Sequence, residues 1–309
     1  MGLFDRVMAG AVPVIPRPIV REVSSRYIAG TRLEDAVRVI RALNSEGCVA
    51  TVDVLGESTT DKARASATLS EYKRVVDELE RNGLKSGISV KLTALGLALD
   101  EELCRANLEE LVEYAGERGR FVRVDMEDSP YTEKTIRMVL DTHARHENTG
   151  AVIQAYMRRS IDDVQRLVEA GVSVRLCKGI YDEPREIAYK DYDTVRQNYV
   201  FLLEELLRGG CYVGVATHDE YLVWHALRLV HQLGVSKDRY EFQMLLGVDE
   251  ELRRILVRDG HKVRVYVPYG EQWYEYSTRR LKENPKIAGY VTLDVLQSVG
   301  GALKRAAGH

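Results

Sequence analysis

The chain has 309 residues, of which 45% are hydrophobic and 29% are charged, a composition that excludes disordered and fibrous proteins. Lysine and arginine total 44 against 47 aspartates and glutamates, so the formal net charge of -3 provides no general attraction to nucleic acid. The four cysteines lie far apart, with no Cys-x-x-Cys pair, which indicates neither a metal site nor a disulfide framework.

The N-terminal part of the chain is apolar between residues 9 and 20, but three prolines interrupt this stretch and it is too short to span a bilayer. We therefore expect a cytoplasmic protein. A peripheral contact at the inner face of the membrane is compatible with this, since it requires only an amphipathic or charged patch. Residues 1–47 are predicted to form an N-terminal arm with extra helices, and Thr31 is the expected N-cap of an amphipathic helix at residues 31–43.

From Cys48 onward, short β-rich runs alternate with segments of helical periodicity. The predicted strands are Cys48–Val54, Ile88–Leu92, Phe121–Met126, Ala151–Tyr156, Val172–Leu176, Tyr212–Ala216, Tyr240–Met244 and Val263–Val267. The helical segments include Leu103–Ala115, Ile161–Ala170, Val195–Leu207, Tyr221–Leu233 and Glu250–Val257, and a further C-terminal helix is predicted at Thr292–Ala306. Eight such units predict a single (βα)8 TIM-like barrel over residues 48–309.

An open doubly wound sheet is the alternative architecture. Its dinucleotide-binding form carries three glycines at the first strand-to-helix turn, whereas this turn has Gly56 alone. The pattern therefore favours the barrel.

Polar and charged residues lie where the predicted strands end, which is the face that forms the active site of a barrel. This group comprises Lys91, Asp125, Arg159, Arg175, Lys178, Thr217 and His218. Each residue alone has an ordinary structural explanation: Lys91 or Arg175 could pair with Asp125, and His218 could be an N-cap or a satisfied core histidine. Their convergence at one end of a barrel predicts a ligand site, because charges in apolar strands are costly to bury.

The segment after the last strand places Tyr276, Arg279, Arg280 and Glu283 three or four residues apart. On a helix most of them share a face. The two guanidinium groups could clamp a small carboxylate through charge-assisted hydrogen bonds. A solvated helix with an ordinary Arg–Glu pair explains the same pattern.

Several of these motifs resemble those of the monofunctional bacterial proline dehydrogenases, in the family's order and over essentially the whole predicted barrel. The matching segments begin at Val90 (VKLTAL), Val122 (VRVDMEDS), Gln154 (QAYMRR), Arg175 (RLCKGIY), Ala216 (ATHD), Phe242 (FQMLLG) and Tyr276 (YSTRR).

The resemblance implies specific roles. Residues implied at the substrate are Lys91, Arg279 and Arg280 for the carboxylate, Tyr266 and Tyr276 for the proline pocket, and Glu283 to hold the arginine pair. Asp125 and Arg175 resemble the family's active-site residues. The family's cofactor is a flavin, FAD. Residues implied at this cofactor are Met126, Gln154, Arg159, Lys178, Gly179, Ile180, Thr217 and His218, with Arg159 near the flavin N5.

By this resemblance the expected reaction is the oxidation of L-proline to Δ1-pyrroline-5-carboxylate, with noncovalent FAD and then a quinone or other electron acceptor. Two other functions fit a barrel with lysines at its strand ends. Lys91 or Lys178 could form a Schiff base in an aldolase-like lyase, or the barrel could bind a carboxylate without redox chemistry. A flavin spectrum of the purified protein would separate the first reading from both.

Overall fold

The computed structural model describes residues 21, 24–56, 59, 61–274 and 276–278. In these residues a helix, α1 (Leu33–Ser45), precedes eight parallel strands that alternate with helices. The elements run β1 (Val49–Val54), α2 (Lys62–Arg81), β2 (Ser86–Val90), α3 (Glu101–Gly116), β3 (Val122–Val124), α4 (Ser129–His143), β4 (Thr149–Gln154), α5 (Ser160–Glu169), β5 (Ser173–Cys177), α6 (Tyr192–Arg208), β6 (Val213–Ala216), α7 (Glu220–Gln232), β7 (Tyr240–Leu245), α8 (Glu250–Arg258) and β8 (Val263–Tyr269).

The strands pair in sequence order and the barrel closes where β1 pairs with β8, for example Thr51 opposite Tyr266. All neighbouring strands are parallel, as crossover helices between consecutive strands require. The predicted (βα)8 barrel is confirmed and the open doubly wound alternative is wrong.

Most of the apolar core lies between the barrel and the surrounding helices. Helix α1 shows why such helices form: Ala36, Ile40 and Leu43 recur at helical spacing, are buried, and face the sheet near β1 and β8. The predicted N-cap, Thr31, is wrong by one residue, since the helix begins after Arg32. The backbone N–H of Arg32 donates to the Asp35 carboxylate at 3.3 Å, so Asp35 fixes this start by reaching back to the cap.

The inside of the barrel is polar, and glycines in alternate strands make room for it. Gly87 in β2, Gly150 in β4 and Gly214 in β6 stand where a side chain would collide with neighbouring groups. A Cβ on Gly150 would lie 2.6 Å from the guanidinium of Arg123, and one on Gly214 would overlap the amide of Gln243. Barrel interiors are usually filled by layers of branched aliphatic side chains. Here long polar side chains from the odd-numbered strands occupy that space.

Within the described ranges, no helix is both long enough and apolar enough to cross a membrane. The predicted C-terminal helix at Thr292–Ala306 lies outside the described residues, as does the N-terminal arm up to residue 20. The division at residue 47 remains a prediction.

Candidate active site

A cavity of about 260 Å³ opens at the C-terminal ends of the strands. The structure brings twelve of the predicted site residues to its wall: Lys91, Asp125, Met126, Gln154, Arg175, Lys178, Gly179, Ile180, Thr217, His218, Tyr266 and Tyr276. Their places follow from the barrel, because β2 to β6 each contribute residues at or just after the strand end, and β8 contributes Tyr266 from within the strand. The fold therefore brings these residues together at one end of the barrel.

The centre of the cavity floor is an ion pair between Arg175 and Asp125. Arg175 Nη1 donates to Asp125 Oδ1 at 2.7 Å, and Arg175 Nη2 donates to Ser89 Oγ at 3.0 Å. The third donor, Arg175 Nε, reaches Gln243 Oε1 at 2.5 Å. Ser89 Oγ in turn donates to Asp125 Oδ1 at 3.1 Å. With these bonds both groups are fixed in orientation.

Lys91 is held by a carboxylate that the sequence reading did not single out. Its Nζ lies 3.0 Å from both oxygens of Asp53 and 3.9 Å from Asp125 Oδ2. Asp53 is fully buried, and this burial raises its pKa, although Lys91 opposes the shift. The signal was present in the sequence, since Asp53 is the one charged residue in the apolar strand Val49–Val54.

Tyr266 connects the same network to β8. Its hydroxyl donates to Asp125 Oδ2 at 2.9 Å, and the Arg175 guanidinium lies 5.3 Å from the centre of its ring. Burial raises the pKa of Tyr266 well above its ordinary value, and the charges of Asp125 and Asp53 add to this. Tyr266 is therefore a neutral phenol that donates a hydrogen bond at the cavity wall.

The segment after β5 presents its backbone to the cavity. Gly179 has a φ of +113°, and a Cβ there would overlap the ring of Tyr156, so the position requires glycine. The neighbouring Ile180 N–H donates to Gln154 Oε1 at 3.3 Å. Gln154 Nε2 is anchored on the Glu127 carbonyl at 3.1 Å. Ile180 thus contributes its backbone N–H to this contact and lines the cavity.

Lys178 and Asp219 form the rim of the cavity near β6. Lys178 Nζ lies 3.1 Å from Asp219 Oδ2, which also accepts from Arg196 Nε at 2.8 Å. Burial raises the pKa of Asp219, but hydrogen bonds from Arg196, Tyr192 and Lys178 outweigh it and hold the pKa below its ordinary value.

His218 and Thr217 follow β6 directly. The Leu245 N–H donates to His218 Nε2 at 2.9 Å, and the Asp219 N–H donates to Thr217 Oγ1 at 3.0 Å. Both side chains thus satisfy backbone groups and line the cavity at the same time.

The structure does not bring Arg159 to this cavity. Its Nε and Nη2 each lie 2.8 Å from an oxygen of Asp163, one turn along helix α5, and Nη2 also pairs with Glu133. Hydrogen bonding by Asp163 is the main cause that raises the pKa of Arg159. Arg159 lies five residues beyond the end of β4, at the start of the helix, where these two carboxylates hold the guanidinium away from the strand ends.

The predicted clamp residues Arg279, Arg280 and Glu283 lie outside the described residues. Beyond Asp53, the sequence reading also missed Gln243 and Ser89, which are buried within β7 and β2. Apolar side chains complete the cavity wall, among them Val152, Met244 and Leu245. The cavity therefore combines cations that are paired with carboxylates, a neutral phenol and apolar side chains.

The sequence profile of the proline dehydrogenase family matches residues 36–292. Proline dehydrogenase 1 of Bacillus subtilis is 34% identical over 272 residues, covering 88% of this chain and 90% of the relative. Proline dehydrogenase of Deinococcus radiodurans is 34% identical over 309 residues, covering 96% of this chain and 100% of the relative.

Among solved structures, proline utilization A of Bdellovibrio bacteriovorus, inactivated by N-propargylglycine, superposes with a TM-score of 0.80 and 26% identity. The alignment covers 85% of this chain and 33% of that protein, so this chain spans about a third of the larger protein's length.

Proposed function

The chain belongs to the proline dehydrogenase family, and on this premise we propose that it oxidises L-proline to Δ1-pyrroline-5-carboxylate with noncovalently bound FAD. The observation that carries the proposal is the cavity at the strand ends, where Lys91, Asp125, Arg175 and Tyr266 meet apolar walls. Family membership alone leaves the site residues open, and this cavity supports the residue assignments proposed below.

The cavity's donors and walls suit a flavin. Met126, Val152 and Leu245 offer apolar surface to a flat ring, and Lys178 adds a cation at the rim. Gly179 lines the cavity beside β5, and glycine is required there because a Cβ would overlap the ring of Tyr156. We assign Met126, Gln154, Lys178, Gly179, Ile180, Thr217 and His218 to the cofactor. When bound, the flavin supplies the two-electron acceptor that side chains lack.

The substrate carboxylate is assigned to Lys91, together with Arg279 and Arg280. Asp53 fixes the orientation of the Lys91 ammonium through two contacts of 3.0 Å. Tyr266 and Tyr276 bound the space for the ring, and Glu283 is assigned to hold the arginine pair. Charge-assisted contacts of this kind fix one end of a small substrate, so that the other end is presented in a constant orientation.

Oxidation requires that proline lose a hydride from C5 and a proton from nitrogen, which leaves the C=N bond of the product. The apolar walls exclude water and favour the neutral amine, from which the hydride leaves more readily. Arg175, buried and fixed by Asp125, is the cavity cation that favours negative charge developing at the acceptor. We assign Asp125 to positioning Arg175 and Tyr266. Arg159 is assigned to the start of helix α5 instead, because its guanidinium is held by Asp163 and Glu133.

We further propose that the electrons pass to a quinone-type acceptor, with a peripheral membrane contact during that step. This proposal rests on family membership, and the residue assignments made above for the cavity do not depend on it.

The absorption spectrum of the purified protein tests the proposal. We expect a yellow protein. Its chromophore should pass into the supernatant after heat precipitation, because the residues assigned to the cofactor would hold it through polar, charged and apolar contacts alone. Colour that stays with the pellet would contradict noncovalent binding. A colourless protein that borohydride and substrate modify covalently would instead support a Schiff-base lysine, at Lys91 or Lys178.

A further inference from the structure

A second cavity, of about 360 Å³, opens at the opposite, N-terminal mouth of the barrel. Its wall includes Thr51, Arg123, Glu241, Lys262 and Arg264, which lie at or before the beginnings of their strands. In TIM barrels this face ordinarily contributes to stability and carries no site. The proposed oxidation of proline does not use it.

This cavity exists because glycines, which have no side chain, leave space near the barrel axis. Gly87 lines it, and Gly150 allows the Arg123 guanidinium to pass into the barrel. The ring of Phe121 covers one side of Arg123, with the guanidinium 4.8 Å from the ring centre. An aliphatic layer would close this space, so the cavity depends on these particular residues.

Three cations of the barrel interior have a carboxylate in direct contact. Lys91 contacts Asp53, Arg175 contacts Asp125, and Arg264 contacts Glu241 at 2.5 and 3.0 Å.

Arg123 differs from them. Its Nη1 donates to the carbonyls of Ala151 at 2.8 Å and Ser173 at 2.6 Å, and its Nη2 donates to Ser173 Oγ at 2.9 Å. Within the described part of the chain no carboxylate forms an ion pair with Arg123, whose hydrogen bonds go to two carbonyls and a hydroxyl. Burial lowers the pKa of Arg123 to about 9, and the charge of Arg175 lowers it further in the same direction. A buried guanidinium of this kind is costly unless an anion accompanies it.

We propose that the N-terminal cavity is a binding site for a small monovalent anion, a carboxylate in particular, held by Arg123. The planar fork of a guanidinium matches a carboxylate, and Lys262 at the rim lies 3.4 Å from Glu241, so its charge is shared with that carboxylate. Glu147 and Glu241 both line the cavity, so we expect it to exclude larger or more highly charged anions. Arg175 and Gln243 line both cavities and form the partition between them, so this site is separate from the one assigned to the substrate.

Thermal unfolding of the purified protein in sodium formate, with ionic strength held constant by sodium sulfate, tests the site. The unfolding temperature should rise saturably, by about 3 °C at roughly ten times the dissociation constant. Arg123→Met should lower this rise, and Arg123→Met combined with Lys91→Met, which weakens carboxylate binding in the strand-end cavity, should abolish it. Lys91→Met, which alters the other cavity, and Arg38→Met, on the exposed face of α1, should retain it.

A response without saturation, or one that is undiminished in Arg123→Met, would overturn the proposal. Loss of the response in Lys91→Met alone would assign the formate to the strand-end cavity and would also overturn it. If Arg123→Met does not fold, crystals of the unaltered protein in sodium bromide decide the matter. Anomalous density beside Arg123 supports the site, and its absence at saturating bromide contradicts it. Neither readout depends on proline oxidation.

Discussion

At the scale of single residues, the structure distinguishes two arginines: Arg175 lines the cavity and Arg159 does not. The sequence motifs had implied a role at the site for both. Arg175 is buried, lines the cavity and donates to Asp125, Ser89 and Gln243. Arg159 is about a third exposed and is paired on the outer side of the strand ends with Asp163 and Glu133. Position in the fold therefore favours Arg175 as the cation that acts during the proposed reduction of a flavin.

Replacing each arginine with methionine gives a matched test. We expect Arg175→Met to slow reduction of the bound flavin by L-proline about 100-fold, since a preorganised cation in a dry cavity is lost. Arg159→Met should change the rate by less than about threefold. Stopped-flow reduction at saturating proline measures both, and Arg175→Lys tests whether charge alone suffices. Slower reduction in Arg159→Met than in Arg175→Met, at equal flavin content, would reverse this assignment.

Sequence reasoning found the residues that motifs carry and missed those that only packing defines. Lys91, Asp125 and Arg175 stood out as charges at strand ends. Asp53 could have been found by the same criterion, because it is a charge inside an apolar strand. The position of the Arg159 guanidinium could not, since it depends on Glu133, a residue 26 positions away on a different helix.

At the scale of elements, the periodicity of the sequence predicted every strand of the barrel, with bounds within a few residues of those observed. It did not predict the polar interior. Gly87, Gly150 and Gly214 look in sequence like weak points of their strands, and their role appears only when the strands are closed around Arg123, Arg175 and Gln243. The strands form the barrel, and these glycines leave the space that the polar side chains occupy inside it.

Adding a methyl group at Gly214 tests this role. Gly214→Ala should lower the free energy of unfolding by about 1–3 kcal/mol, because the Cβ would collide with Gln243, whose amide is fixed between Arg175 and Glu241. Gly56→Ala is the control, since its Cβ would lie 3.7 Å from the nearest atom, in Gln272, and should change stability by less than about 0.5 kcal/mol. Equal losses measured by urea unfolding would show that the interior tolerates the methyl group.

At the scale of the whole molecule, closure of the barrel is reinforced by charge. Arg264 in β8 contacts Glu241 in β7 and donates to the Ala50 carbonyl in β1 at 2.6 Å, so it bridges the seam between the first and last strands. Burial raises the pKa of Glu241, but Arg264 and then Lys262 outweigh this and lower the pKa from its ordinary 4.5 to about 2.

The pH dependence of stability follows from this shift. The folded protein keeps Glu241 ionised down to about pH 2, whereas the unfolded chain binds a proton near pH 4.5. The stabilisation is therefore complete above pH 4.5 and is lost as the pH falls towards about 2. Glu241→Gln should flatten the fall of the unfolding free energy in this window, while Glu102→Gln, on an exposed side chain, should leave it unchanged. An unaltered slope in Glu241→Gln would contradict the assigned pKa.

The central claim is that the strand-end cavity holds a flavin that L-proline reduces. Anaerobic titration of the purified protein with L-proline, followed by the flavin absorption spectrum, tests it most directly. We expect the oxidised flavin band to bleach progressively and to reappear when an electron acceptor is added, with L-valine as a control that produces no bleaching. A flavin that stays oxidised at saturating L-proline would contradict the account.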